Sequence, residues 1–131
     1  MAKSLLEKFE SISTHDIKII EKDFWGQKAG DRMLIPTPKL IEDYVGQSQK
    51  GVFIDPLQMR KDLAAELGAD FTCPMTTGIF TRIMAEKNLE LHGDDYEAMT
   101  PFWRLVDPKS DLAKKLTCGK EVIQRLRETE N

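Results

Sequence analysis

The sequence predicts an α+β domain, a mostly helical winged helix-turn-helix with a small β element. Three observations lead there. Two helical stretches, each opened by a cap-plus-proline pair, follow one another closely from Asp55 and from Thr72. The second of them carries a face of small residues, Thr77, Gly78, Thr81 and Ala85, with Arg82 at its margin. Beyond it, Trp103 to Val106 and Leu112 to Leu116 read as two strands around the turn DPKSD, the layout of a wing.

The chain has 131 residues, 40% apolar and 31% charged, which fits one domain with a proper core. No apolar run approaches the roughly 20 residues of a membrane span. The start, MAKSLLEKFES, is charged and helix-like, unlike a secretory signal. Cys73 and Cys118 have no CxxC pairing or paired histidines around them, so no disulfide framework, metal site or cofactor is expected, and a reducing cytoplasm is. A net charge of −3 excludes a globally basic nucleic-acid binder while leaving room for a local basic patch.

Residues 4 to 12 read as a short amphipathic helix carrying Leu5, Leu6, Phe9 and Ile12, followed by a break and the apolar run Ile17, Ile19, Ile20. Residues 21 to 32 read as an irregular connection. Met33 to Ile35 form a short strand that leads into a helix from Thr37-Pro38, striped by Leu40, Ile41, Tyr44 and Val45 and weakened at Gly46. Val52 to Ile54 is an extended piece. Asp55-Pro56 then opens a helix with Leu57, Met59, Leu63, Ala64 and Leu67 inward, closed by Gly68. In the next helix, opened by Pro74 with Thr72 or Cys73 as cap, Met75, Ile79, Phe80, Ile83 and Met84 recur as the buried face. The small face is then the exposed one. Two readings fit it: another helix of the same fold lies on it, or a nucleic-acid groove does. Residues 89 to 99 read as an acidic loop with His92 solvated, and a last helix near 119 to 129 turns Val122, Ile123 and Leu126 inward. The organisation expected is an N-terminal extension, 1–34, and one compact domain, 35–131.

Charge is uneven. From Thr100 to Arg127 there are seven cations and three carboxylates, inside a chain that is negative overall. Two readings fit this segment as well, phosphate contacts from a basic wing or a solvated terminal helix.

The stretches IPTPKLIEDYV, TCPMTTGIFTRIMAE and TPFWRLV, in that order, resemble the C-terminal DNA-binding domain of the alkylguanine-DNA alkyltransferase superfamily over about Ile35 to Arg127. The resemblance implies that domain's fold and double-stranded DNA as partner. In the active family a Pro-Cys-His-Arg-Val motif supplies a cysteine nucleophile and its histidine. Here Pro101, Arg104 and Leu105 match its proline, arginine and valine, whereas Phe102 and Trp103 occupy the cysteine and histidine positions. Alkyl transfer needs a thiolate, and neither ring supplies one, so no enzyme is expected.

The stretches look more closely like a small bacterial branch of that superfamily without an assigned function; the related non-enzymatic alkyltransferase-like branch, which binds damaged bases without repairing them, implies a part in DNA repair. Within it, Thr76, Thr77, Gly78, Thr81 and Arg82 would meet the duplex with Arg104, and Lys109, Lys114 and Lys115 would take phosphates. Pro101, Phe102 and Trp103 would line a base pocket; the alternative is that the two aromatics are core. A helix with a slim face suits the narrow minor groove. The other function kept open is a protein-interaction module that has lost DNA, its small face covered by a subunit or by the N-terminal segment. Cys73, at a helix start without a neighbouring base, is expected to be a buried structural thiol.

Overall fold

The computed structural model describes residues 4–130; residues 1–3 and 131, the outer ends of the two segments drawn from the sequence, lie outside the described residues. The architecture is α+β, six α-helices and a three-stranded sheet among the described residues. In order these are α1 (Leu5–Ser11), β1 (Asp16–Ile19), β2 (Arg32–Ile35), α2 (Pro38–Gly46), α3 (Pro56–Leu67), β3 (Phe71–Thr72), α4 (Pro74–His92), α5 (Asp111–Lys115) and α6 (Lys120–Glu130). No helix among the described residues is long and apolar enough to cross a membrane.

Local chemistry sets most of these boundaries. Ser4, Thr37, Asp55 and Ser110 each accept a hydrogen bond from a backbone N–H of the first turn they precede, and Pro38 and Pro56 fill first-turn positions whose N–H would be unpaired anyway. Gly68 ends α3 in the left-handed conformation, with φ at 78°. The sheet has the order β1-β2-β3. β1 and β2 are antiparallel, pairing Ile17 with Leu34, and β3 joins β2 in parallel, pairing Leu34 with Thr72. The crossover between the parallel strands is α2 and α3. β2 runs across the boundary drawn at residue 34, and α1 packs on α4, where the Lys87 ammonium lies 4.1 Å over the Phe9 ring.

Three expectations about elements change. The wing strands are absent. Phe102–Arg104 forms a 3-10 turn, in which the amides of Arg104 and Leu105 bond to the carbonyls of Pro101 and Phe102, both at 3.0 Å. Those donors are used locally, so a strand ladder has nothing to build on. The intended return strand is α5, capped by Ser110 and with Asp111 and Lys114–Lys115 at the dipole ends that favour them. The acidic loop begins later than expected, because α4 runs on to His92, which is its last residue.

The third change is the largest: the buried face of α4 is rotated from the expected one, keeping Met84 buried and Phe80 and Ile83 against the core but not Met75 and Ile79. Its buried positions are Thr77, Thr81, Met84, Ala85, Lys87 and Asn88, whereas Met75 and Ile79 are more than half exposed. Burying the threonines costs little because each hydroxyl donates to the carbonyl one turn back, Thr77 to Cys73 and Thr81 to Thr77, both at 2.7 Å. Their methyl groups then face the core. Three of the four small residues, Thr77, Thr81 and Ala85, are therefore covered by the protein's own fold, the threonines beside the start of α3 and the 105–112 segment, while Gly78 stays exposed. Leu57 on α3, expected inward, is likewise exposed. The fully buried centre is Leu34, Ile41, Met59, Met84, Phe102 and Ile123, each contributing about 1.5–3 kcal/mol by leaving water.

Candidate nucleic-acid interface

The outward face of α4 consists of Met75, Gly78, Ile79 and Arg82. With Leu112 and Lys115 of α5 these four line a concavity of about 280 Å³. α5 is the bridge to a second, larger cleft of about 560 Å³ between itself and α6, where Lys109, Lys114, Lys120 and Arg125 meet Glu121 and Glu128. Six cations and two carboxylates thus line the two concavities together. Lys114 lies 3.9 Å from Asp111, with both side chains well exposed, a pair worth little in solution.

On the other side of α4 a concavity of about 260 Å³ gathers Pro56, Pro74, Thr77, Gly78, Thr81 and Leu112 among its lining. It shares Arg60 and Pro74 with a neighbouring one of about 290 Å³, whose lining includes Trp25, Leu57, Lys61 and Phe71. Unlike α2, α3 and α5, α4 has no side chain capping its N-terminus; Cys73 holds that position without a side-chain bond. Its first amides and the positive end of its dipole are thus free of an internal acceptor.

The residues singled out from the sequence divide into two groups. Gly78, Arg82, Lys109, Lys114 and Lys115 lie on this outer surface, and Thr76 is partly buried beside it. Thr77 and Thr81 do not belong to it, for the reason given above. Arg104 is not available to a duplex either. Its side chain is 11% exposed; its Nε donates to both Glu130 oxygens, at 2.9 and 3.0 Å, and its Nη1 to the Ser48 carbonyl at 2.9 Å. Of the three residues expected to line a base pocket, Phe102 is fully buried in the core, whereas Pro101 and Trp103 edge a concavity of about 520 Å³, Trp103 only 6% exposed with its indole N–H donating to Glu130 at 2.7 Å. The arginine and both aromatics of the family-like motif therefore build the anchor of α6.

Glu130 is the hub of that anchor. Burial raises its carboxyl pKa, but the donors Arg104, the Gly51 amide and the Trp103 indole outweigh burial and hold it below the usual value. Arg127 completes the join, donating to the Trp103 carbonyl at 2.6 Å and lying 4.2 Å over the Phe53 ring. Cys73 is a buried free thiol, and Cys118 is half-buried, with its pKa raised by burial and by the nearby Glu86 charge. No group of three His, Cys, Asp or Glu side chains among the described residues is placed to hold a metal ion.

Compared with family models, with curated proteins and with solved structures, the chain matches none. Residues that sequence reasoning missed are Met75 and Ile79, assigned to the core, and Trp25, Leu57, Arg60 and Lys61. Lys120 and Arg125 had been counted only as charge. One signal was present for α4: two threonines four apart can satisfy each other's turn and turn inward, leaving the larger apolar residues outside.

Proposed function

We propose that this protein binds double-stranded DNA without catalysing a reaction, through the outer face of α4 and the cations of α5 and α6. It would do so as a relative of the alkyltransferase-like proteins, with α3 and α4 as the helix-turn-helix and α5 standing where a wing hairpin was expected. One observation carries the reading. α5 turns Lys115 toward the α4 concavity that holds Arg82, and Lys114 toward the cleft that holds Lys109, Lys120 and Arg125. The result is a cationic band across three elements of a chain whose net charge is −3. Such a band suits phosphates along a groove, while Gly78 keeps the helix slim and Met75 and Ile79 offer apolar contact to sugars or base steps. Lesion recognition is not part of this reading, since Phe102 and Trp103 serve the core; plain and alkylated duplexes are expected to bind alike.

Titrating a labelled short duplex across a salt series tests it. Six phosphate contacts at most would give a slope of log K on log salt of up to about −5. Arg82→Glu with Lys115→Glu should weaken binding at least tenfold, roughly 1.4 kcal/mol, and Lys120→Glu with Arg125→Glu comparably. Absence of binding even at low salt would end the reading.

A second reading is favoured by a specific observation. Trp25, Leu57, Met75 and Ile79 are each about half exposed or more, and their concavities adjoin, a size and composition suited to a protein partner. In that case Met75→Asp and Leu57→Asp would abolish capture of the partner, and the two double charge reversals would leave it intact.

A further inference from the structure

Trp25 occupies a conformation that its side chain disfavours. The turn at the tip of the 20–31 connection is closed by reciprocal backbone bonds, Phe24 N–H to the Gln27 carbonyl at 3.0 Å and Gln27 N–H to the Phe24 carbonyl at 2.8 Å. Its two central residues, Trp25 and Gly26, both have positive φ, 52° and 79°. Asn, Asp or Gly normally takes the first of these positions, and a bulky residue there is strained. Burial does not offset the strain, because Trp25 is 64% exposed. The turn is nevertheless tethered: the Phe24 ring meets Trp25 edge-on, with centroids 6.1 Å apart, and leans on Phe71 at 6.4 Å. An exposed indole is thus held at a fixed place on the edge of the concavity that contains Arg60 and Lys61. The one carboxylate in that lining, Asp70, is engaged by Arg32, whose amide donates to it at 2.7 Å.

Backbone strain of this kind, held in place by its surroundings, clusters at active sites, ligand clamps and switch regions. We propose that Trp25 is a stacking platform for an unpaired base, with Arg60 and Lys61 on the flanking phosphates, an assignment that rests on the duplex reading of α4. The substrate class becomes duplex DNA with an adjoining single-stranded stretch. An aromatic face between cations is the arrangement that holds single strands irrespective of sequence. The concavities adjoin in series, the outer one sharing Gly78 and Leu112 with the next and that one sharing Arg60 and Pro74 with the concavity of the indole, a run that one strand could follow. An acidic peptide is the rival occupant of the same chemistry.

Tryptophan emission of the whole chain provides the test, since the only other tryptophan, Trp103, is 6% exposed and serves as a fixed background. Three probes are used: a short blunt duplex, the same duplex with a tail of about six thymidines, and the single strand alone. The tailed duplex should quench Trp25 and bind roughly tenfold tighter than the blunt one. Trp25→Asn suits the left-handed turn, so its Tm should hold or rise by a few degrees while the preference for the tail vanishes and blunt-duplex affinity stays. Trp25→Phe should keep part of the preference. Equal binding of blunt and tailed duplexes with unchanged emission overturns the stack and leaves the duplex reading standing. Quenching by the single strand with no duplex bound supports the stack and overturns the duplex reading. No response to any of the three probes overturns both.

Discussion

α4 hides its hydroxyls and shows its hydrocarbons. On the inner face Thr77, Thr81, Met84 and Asn88 form one stripe, and every polar atom on it is engaged: the threonines with their own helix, Asn88 with the Met84 carbonyl and with Glu42. On the outer face Met75 and Ile79, both more than half exposed, stand beside Gly78 and Arg82 with no covering element among the described residues. Ranking side chains by hydrophobicity alone would place Met75 and Ile79 inside and Thr77 and Thr81 outside. What decides the matter is that a small side chain with an internal acceptor lets two backbones approach closely and costs little to bury. A helix that accepts this arrangement frees larger apolar groups for another surface.

The difference between the faces can be broken by mutation, beginning with the largest effect. Arg104, which the family-like motif assigns to DNA, works for the interior. Arg104→Ala leaves Glu130 buried without its cation and should lower stability by about 3–5 kcal/mol in denaturant titration. The same cluster has a pH signature. Because the folded Glu130 pKa is depressed, its contribution is present above the unfolded value of 4.5 and lost as pH falls through the lower folded value. Glu130→Gln should flatten that acid limb relative to the parent.

Next come two methionines on the two faces. Met84 is fully buried, and Met84→Ala should cost about 2–5 kcal/mol. Met75 is 58% exposed, and Met75→Ala should stay within about 0.5 kcal/mol while weakening duplex binding. Equal stability losses at the two sites would contradict the orientation of α4. The smallest effect belongs to Thr81→Val, which keeps the inward methyl group and removes a hydroxyl whose acceptor already belongs to the helix ladder. Its cost should be under about 1 kcal/mol.

Much of the framework was legible because it depends on neighbours in sequence. Asp55-Pro56, Thr37-Pro38 and Gly68 act through bonds within a turn, and the structure places helix ends at each. The strand at Met33–Ile35 and the inward Ile123 and Leu126 followed from simple periodicity. What misled was long-range. Whether Leu112–Leu116 is a strand or a helix depends on a partner strand that 102–106 does not supply. Ser110-Asp111 ahead of two lysines was a cap signal that outweighed the apolar alternation. For the candidate site, Arg82, Lys109, Lys114 and Lys115 were legible as charge beside a helix. Arg104 was not, because its partner Glu130 lies 26 residues away and nothing local announces the pair.

Methyl NMR on the methionines tests the working face most directly. Met75 is exposed on the outer face, whereas Met59, Met84 and Met99 are buried and act as internal controls. On titration with a short blunt duplex at low salt, the Met75 methyl signal should shift or broaden in step with binding, and the Met59, Met84 and Met99 signals should stay where they are. Binding that leaves Met75 unmoved, or that moves Met84 equally, would contradict the assignment of DNA to the outer face of α4.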